Sequence, residues 1–379
     1  MADFTLFLNP RHGTPGTVTL PAAGFRRAKA EITIWDGYAP TPLRELPLPG
    51  TVRLKDESGR FGLGSFKALG GAYAAANLLA DELARQGIAP AARSADLASG
   101  QYEQATRTIT LTSATDGNHG RAVAWAASRF RCRCVIYIHA TVSAGREAAI
   151  AAFGAEVRRV PGTYDDAVRA CARAAEARGW FVVSDTSWPG YTEIPRDVMQ
   201  GYRLMADEAA DQWTGPPPTH VFIQGGVGGA AAAVSAQIRA RWGRETGLIV
   251  VEPEDAACLL ASAQAGAIRT VGGDLDTIMA GLACGEPSLL AWQELERAAL
   301  AYMAIPDAAA VDTMRFLAKA GIVAGESGVA GLAAYRLAMD DQTARFALGL
   351  GPGSRILAFN TEGATDPAVY RTIIGDGGR

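Results

Sequence analysis

Short apolar runs alternate with longer amphipathic segments along most of the chain. Between residues 108 and 183, this pattern predicts strands at 108–112, 134–138, 156–160 and 181–183 and helices at 118–129, 144–153 and 164–178. Apolar runs of this length, separated by helices, are typical of parallel sheets covered on both faces. The sequence therefore predicts an α/β fold.

The alternation continues outside this region. The predicted strands there are 51–55, 220–223, 248–251 and 355–359, and the predicted helices are 66–83, 229–242, 306–319 and 328–337. Residues 86–107 are polar and poorly periodic, so no element is predicted there. No fixed-period repeat is visible in the chain.

Composition restricts the possible functions. The chain has 379 residues, 49% hydrophobic and 20% charged, which fits a globular protein of about two domains. The net charge is −3 and there is no basic block, so nucleic acid is not an expected partner. No apolar run reaches the ~18–20 residues of a membrane span. The first 30 residues lack the apolar core of a secretory signal, which favours a cytoplasmic location.

Cysteine and histidine do not form a metal-binding pattern. The five cysteines are scattered, which is typical of a reducing compartment rather than a disulfide scaffold. Cys132 and Cys134 form C-x-C, which lacks the usual ligand spacing. The four histidines are far apart, and no H-E-x-x-H motif occurs. We expect no metal site.

Lys67 is the first candidate catalytic residue. It stands at the start of a predicted alanine-rich helix, where the macrodipole disfavours a cation. A positive helix end and apolar neighbours both favour the neutral amine, the form that attacks carbonyl groups. The alternative is an ordinary surface lysine, as most lysines are.

Two acidic segments follow predicted strands. Asp116 lies in Thr-Asp-Gly-Asn-His-Gly, and Asp185 follows the strand at 181–183. Parallel-sheet enzymes bind ligands at the carboxyl ends of strands. We expect Asn118 to cap the following helix and Asp116 to project into a site. The alternative for Asp185 is an exposed loop acid, and His119 is expected to be structural.

A glycine loop, Gln224 to Gly229, separates a predicted strand from a predicted helix. Its backbone N–H groups would suit a phosphate at the helix start. The loop also fits G-x-G-x-x-A, with Glu252 near the distance expected for an NAD site. A plain tight turn is the third interpretation. Lys67 and Asp116 argue against NAD, because hydride transfer needs neither.

Taken in order, these segments resemble the 2,3-diaminopropionate ammonia-lyase family, which uses pyridoxal phosphate and has the tryptophan-synthase-β-like fold type II. The stretches that carry the resemblance are 38–43, 55–58, 60–63, 66–67, 69–73, 115–127, 185–195, 278–287, 325–328 and 361–366. Gly64-Ser65 departs from the Asn-Ala that usually precedes Phe-Lys in the family. The resemblance implies a two-domain open parallel-sheet fold, with a large cofactor-binding domain at 1–50 and 185–379. Residues 51–184 would form the small domain that carries the Schiff-base lysine.

The resemblance also implies roles for individual residues. Lys67 would hold pyridoxal phosphate, and Lys67, Asp116 and Asp185 would be catalytic. The remaining cofactor contacts would be Phe66 beside the cofactor, Asn118 at its ring hydroxyl, Gly225, Gly226, Val227, Gly228 and Gly229 at its phosphate, and Thr361 at its pyridine nitrogen. Cys258 and Cys284 would be neighbours near the active-site entrance, with a disulfide one of the options. A homodimer is expected.

The implied reaction is α,β-elimination of 2,3-diaminopropionate to pyruvate and ammonia. The closest alternative is a pyridoxal-phosphate β-eliminase that acts on serine, threonine or another β-substituted alanine. A different class of protein would keep the fold for ligand binding without turnover. The intact Lys67, Asp116 and Asp185 argue against that class.

Overall fold

The computed structural model describes residues 4–14, 16–115 and 117–375. The strands within these ranges are β1 Thr5–Leu8, β2 Leu43–Leu46, β3 Thr51–Asp56, β4 Thr110–Thr115, β5 Arg133–His139, β6 Glu156–Val160, β7 Phe181–Val182, β8 His220–Gln224, β9 Gly247–Pro253, β10 Ala299–Ile305 and β11 Arg355–Asn360.

The α-helices are α1 Ala22–Ile32, α2 Ala68–Arg85, α3 Ser94–Ser99, α4 Glu103–Thr106, α5 Asn118–Phe130, α6 Ala144–Ala151, α7 Tyr164–Arg178, α8 Glu193–Gln212, α9 Gly229–Trp242, α10 Cys258–Ala265, α11 Leu289–Ala298, α12 Asp307–Lys319, α13 Ala330–Asp340, α14 Gln342–Ala347 and α15 Pro367–Ile374. Short 3-10 helices span Glu57–Gly62, Glu254–Ala256 and Ala280–Leu282. No described helix is both long and apolar enough to cross a membrane.

The strands form two sheets. The larger has seven strands in the order β1-β10-β9-β8-β11-β3-β2, and the smaller has four in the order β6-β5-β4-β7. The central strands of the larger sheet and all those of the smaller pair in parallel. Of the described strands, only β1 and β2, at the edges, pair antiparallel. The predicted α/β architecture is thus present, because helices connect successive parallel strands.

The predicted boundary between the domains at residue 51 is wrong by one strand. β3, which the sequence assigned to the small domain, pairs in parallel with β11 over its whole length and lies in the larger sheet. β3 and β11 are about 300 residues apart, and a pairing over that distance leaves no trace in local periodicity. The remainder of the division stays a prediction.

The longest described helix, α8, is missing from the sequence-based prediction. It buries residues on nearly every side, including the charged Arg203, Asp207 and Glu208. The segment nevertheless has the amphipathic contrast of a helix, so a weak 3.6-residue pattern does not explain why it was missed. α8 crosses α2 closely, since a Cβ at Gly201 would lie 2.0 Å from the carbonyl oxygen of Leu69.

A buried charge network joins β3 and the 3-10 turn after it to α8. Glu208 accepts hydrogen bonds from Lys55 and from Arg60, both at 2.7 Å, and Arg60 also bonds Glu57. All four side chains are buried. Burial raises the desolvation cost of each charge, so only this dense pairing makes the arrangement tolerable. The residues at 55–60 that resemble the family therefore have a structural role.

Candidate active site

The candidate residues gather where four parallel strands end. The small-sheet strands β4 and β7 are followed by Asn118 and Asp185, and the large-sheet strands β8 and β11 are followed by the glycine loop and Thr361. Carboxyl ends of parallel strands are where α/β proteins bind ligands. Both sheets therefore contribute side chains to one cleft.

Lys67 is brought to this cleft by a short pairing with the chain after β11. The N–H of Gly363 donates to the carbonyl of Gly64 at 2.8 Å, and the N–H of Phe66 donates to the carbonyl of Thr361 at 3.2 Å. Lys67 is then the residue immediately before α2. This pairing places the lysine close to Thr361, although the two are far apart in sequence.

Gly64 has a backbone φ of +74°, in the left-handed region. Glycine adopts this conformation without strain, and asparagine is among the few other residues that tolerate it. The Asn-to-Gly departure from the usual family pattern therefore keeps the backbone turn that positions Lys67. A Cβ at Gly64 would also lie 3.3 Å from Thr365, a tight contact.

Asp185 is the direct partner of Lys67. The distance from Lys67 Nζ to Asp185 Oδ2 is 2.6 Å, and the side chains are 20% and 14% exposed. Burial by itself raises the pKa of Asp185, but the charge of Lys67, the nearby His119 and the lysine hydrogen bond outweigh it. The pKa of Asp185 therefore lies well below its ordinary value. The interpretation of Asp185 as an exposed loop acid is wrong.

Aromatic and imidazole groups surround this pair, and two of them, Tyr202 and His119, were not assigned to the site from the sequence. The Lys67 amine lies 5.4 Å from the Phe66 ring centroid and 5.8 Å from that of Tyr202. His119 Nε2 bonds the carbonyl of Val183 at 2.8 Å, and its Nδ1 lies 3.8 Å from Asp185 Oδ2. Tyr202 lies in α8, so the failure to predict that helix also concealed this residue.

Asp116 lies outside the described residues, so its predicted role stays a prediction. Asn118 is the first residue of α5, and Gly117 is the cap, with no side-chain cap hydrogen bond. The expectation that Asn118 caps the helix is therefore wrong. Its amide nitrogen instead donates a short hydrogen bond to Glu362.

The glycine loop has the backbone of a phosphate site. Gly228 has φ of +93° and caps α9, which begins at Gly229. A Cβ at Gly226 would lie 3.2 Å from both Cys284 Sγ and the carbonyl oxygen of Gly281, so the run at 278–287 packs against the loop. The first N–H groups of a helix have no partner within the helix and can bind an anion.

This loop lies beside the lysine pair. An ideal Cβ at Gly229 would be 3.5 Å from the carbonyl oxygen of Asp185. Asp185 thus contacts Lys67 through its side chain and approaches the start of α9 through its backbone. A group held at the glycine loop is therefore within reach of the lysine.

Cys258 and Cys284 both lie beside Gly226. Cys258 Sγ is 3.6 Å from the carbonyl oxygen of Gly226, and both residues are thiols in this structure. Burial, then the charges of Glu252 and Cys284, raise the pKa of Cys258. The two cysteines are therefore neighbours, and a bridge between them stays a prediction.

Gln224, at the end of β8, organises Thr361. The two hydrogens of its Nε2 are shared among three acceptors: the Thr361 hydroxyl at 2.6 Å, the Gly328 carbonyl at 2.9 Å and the Phe359 carbonyl at 3.2 Å. Those two carbonyls only accept, so the amide nitrogen must face them. Because the Thr361 oxygen accepts from Gln224, its own proton remains to be donated. The sequence offered no signal for Gln224 beyond its place before the glycines.

Glu252 does not serve as the ribose-binding acid of an NAD site. Its carboxylate accepts from the backbone N–H groups of Leu259 and Leu260, both at 2.8 Å, at the start of α10. It is fully buried, and burial raises its pKa to about 8. A buried carboxyl engaged at a helix start is not available to a ribose hydroxyl.

Two further buried carboxyls lie behind Asn118. Glu362 accepts from the Ser327 N–H at 2.9 Å and from Asn118, and Glu326 is its neighbour. Burial and the charge of Glu362 raise the pKa of Glu326 to about 7. Among the described residues, no cluster of three potential metal ligands occurs.

These features fit pyridoxal phosphate. A lysine amine would suit its aldehyde, a glycine loop at a helix start would suit its phosphate, and a donating hydroxyl at Thr361 would suit its ring nitrogen.

Comparison with known proteins decides the family. The pyridoxal-phosphate dependent enzyme family matches residues 34–362. Diaminopropionate ammonia-lyase of Escherichia coli (strain K12) is 40% identical over 362 residues, covering 90% of this chain and 88% of that protein. The corresponding protein of Salmonella typhimurium is 37% identical over 90% of this chain and 89% of its own length. This chain belongs to the diaminopropionate ammonia-lyase family of pyridoxal-phosphate enzymes.

Solved structures agree with this assignment. Holo diaminopropionate ammonia-lyase of Escherichia coli matches with a TM-score of 0.91 and 35% identity, covering 99% of this chain and 97% of that one. The same enzyme in complex with an aminoacrylate-PLP azomethine reaction intermediate matches with a TM-score of 0.88, 34% identity and coverage of 100% and 98%. The predicted fold type and the predicted cofactor are confirmed.

Proposed function

We propose that this protein eliminates ammonia from 2,3-diaminopropionate and releases pyruvate and a second ammonia after hydrolysis. The observation that carries this proposal is the 2.6 Å contact between Lys67 and Asp185 in the cleft. The chain is also 40% identical to diaminopropionate ammonia-lyase of Escherichia coli. A carboxylate beside the reactive lysine suits a substrate with a second amino group, whereas serine and threonine carry no such charge.

Pyridoxal phosphate, when bound, takes up the negative charge left at Cα after proton removal. Lys67 would hold its aldehyde, Gly225 to Gly229 its phosphate and Asn118 its ring hydroxyl. Phe66, which packs against Tyr202 with ring centroids 4.6 Å apart, would border its ring. These assignments extend the family resemblance to the geometry of this cleft.

Thr361 would donate its hydroxyl proton to the ring nitrogen, because its oxygen already accepts from Gln224. A donating hydroxyl leaves that nitrogen unprotonated, while a carboxylate would protonate it. A ring whose nitrogen is unprotonated withdraws negative charge from Cα more weakly than a ring whose nitrogen is protonated. That property favours prompt loss of the β-amine over reactions that need a long-lived carbanion.

Lys67 and Asp116 would act as bases on opposite faces of Cα, so that both enantiomers could react. Asp185 would hold the β-ammonium group of the substrate. Beside the free Lys67 amine the pKa of Asp185 is lowered, which suits a carboxylate that would attract a cation rather than supply a proton. The β-amine already carries its proton as an ammonium group, and leaves as ammonia.

The test is a substrate panel on purified protein loaded with pyridoxal phosphate. We expect pyruvate and ammonia from 2,3-diaminopropionate at a rate at least tenfold above that from serine, threonine or β-chloroalanine. Borohydride treatment followed by mass spectrometry should find the cofactor on Lys67. Lys67→Ala should release no pyruvate. Preference for serine or threonine would replace the proposal with the dehydratase alternative, which the distant D-serine dehydratase relatives represent.

We further propose a homodimer in the cytoplasm. The family resemblance supports the dimer, and the scattered thiols support a reducing compartment. Light scattering coupled to size-exclusion chromatography should give a mass twice that of the 39.6 kDa chain. A monomeric mass would contradict the dimer without affecting the reaction.

A further inference from the structure

The hydrogen bond between Asn118 and Glu362 joins the two sheets at the cleft. Asn118 opens the helix after the small-sheet strand β4, and Glu362 follows the large-sheet strand β11, 244 positions away. Glu362 is 3% exposed, and it immediately follows Thr361. A carboxylate in this position is not explained by the roles proposed so far.

Glu362 is held firmly. Its Oε1 accepts from the Ser327 N–H at 2.9 Å, while its backbone carbonyl accepts from the Gly325 N–H at 2.9 Å. Oε2 is therefore the oxygen that remains for Asn118. The bonds from Ser327 and Gly325 hold it in place independently of Asn118. A carboxylate can only accept, so it can bond the nitrogen of the Asn118 amide but not its oxygen.

We propose that Glu362 is a positioning residue that sets the orientation of the Asn118 amide, so that Asn118 meets the cofactor's ring hydroxyl oxygen as a hydrogen-bond donor. The amide nitrogen has two hydrogens, of which Glu362 takes one and leaves the other for that oxygen. This inference rests on the proposed role of Asn118 in holding pyridoxal phosphate.

A donor at the ring oxygen favours its deprotonated form, whose lysine-bound chromophore absorbs visible light. A freely turning amide could offer its oxygen instead and would favour the protonated form. Loss of Glu362 should therefore weaken cofactor binding and shift absorbance from the visible to the ultraviolet. A purely structural role for Glu362 would not act through Asn118.

The test is a double-mutant cycle with Glu362→Gln, Asn118→Ala and the combined variant. The measurements are the dissociation constant for pyridoxal phosphate and the ratio of visible to ultraviolet absorbance. We expect Glu362→Gln to weaken binding about tenfold in the wild-type background, as for loss of a hydrogen bond to a charged group. In the Asn118→Ala background its effect should be less than about twofold.

Ser143→Ala is the matched control. It removes the other described hydrogen bond between a small-sheet element and the segment after β11, from Ser143 to Asp366 at 2.6 Å, without touching Asn118. Its spectrum should equal that of the wild type. If Glu362→Gln does not fold, Glu362→Asp, which keeps the charge and shortens the reach, enters the same cycle.

The outcomes are distinct. An equal effect of Glu362→Gln in both backgrounds, or none in either, would overturn the positioning role and leave the lyase assignment intact. A wild-type protein that binds no pyridoxal phosphate would overturn the proposed function together with this inference. An effect of Glu362→Gln that is seen when Asn118 is present and is lost in the Asn118→Ala background would support the proposal.

Discussion

At the scale of single residues, the division of work between Asp116 and Asp185 is testable with enantiomers. Asp116→Asn keeps the size and removes the charge, so it should lose most activity on one enantiomer of 2,3-diaminopropionate, which we expect to be the D form. A general base contributes ~10²–10⁴-fold, so the asymmetry should be large. The measurement is the steady-state rate on each isomer.

Asp185→Asn should harm both enantiomers, because each must expel the same β-amine and because Asp185 also contacts Lys67 at 2.6 Å. It serves as the comparison for the Asp116 variant. Equal losses on the two isomers in Asp116→Asn would end the two-face mechanism, though elimination itself would stand.

The buried carboxyl of Glu326 should make the free energy of unfolding fall as pH rises. Its pKa is raised from 4.5 to about 7 by burial and by Glu362, so the folded protein binds a proton that the unfolded chain releases. The resulting stability is present below about pH 4.5 and is lost as pH rises through 7, by on the order of 3 kcal/mol. Denaturant unfolding across pH 5 to 8 measures it.

Glu326→Gln should remove this component, because an amide does not titrate. Its unfolding free energy should change less over the same pH range than that of the wild type. Parallel curves for the two proteins would show that Glu326 is not the group responsible.

At the scale of elements, the crossing of α2 and α8 depends on two glycines. A Cβ at Gly201 would lie 2.0 Å from the Leu69 carbonyl oxygen, and one at Gly70 would lie 2.4 Å from the Tyr202 ring. Gly201→Ala should separate the helices and cost about 1–3 kcal/mol. It should also lower activity, since α2 begins beside Lys67. Urea unfolding and pyruvate release would show both effects.

Gly145→Ala is the control for helical glycine. A Cβ there would meet nothing closer than 3.9 Å, so the helix-favouring alanine should stabilise by up to about 1 kcal/mol and leave activity unchanged. If Gly201→Ala and Gly145→Ala changed stability and activity alike, close packing of α2 against α8 would not be the cause of the loss in Gly201→Ala.

At the scale of the whole molecule, the buried network around Glu208 ties the N-terminal third of the chain to α8. Glu208→Gln removes the charge that pairs with Lys55 and Arg60 and leaves their charges buried. We expect a loss of about 3–5 kcal/mol in the free energy of unfolding. Glu45→Gln, at a carboxylate that is 70% exposed and 3.5 Å from Arg53, should cost at most about 1 kcal/mol.

Much of the fold was predictable because its signals are local. The helix Tyr164–Arg178 and the strand Glu156–Val160 have the predicted bounds, since side-chain periods of 3.6 and 2 reflect nearby packing. The alanine-rich helix Gly229–Trp242, which follows the glycine loop directly, has the predicted bounds as well. Positions after predicted strands likewise indicated Asp185 and the glycine loop as site candidates, whereas Thr361 came only from the family resemblance. The family motifs indicated Lys67 and the cofactor.

Only the tertiary structure decided the partners of these residues. Lys67 and Asp185 are 118 positions apart, Asn118 and Glu362 are 244 apart, and β3 joins β11 across the chain. Contacts at such separations depend on how elements pack, and local periodicity carries no record of them.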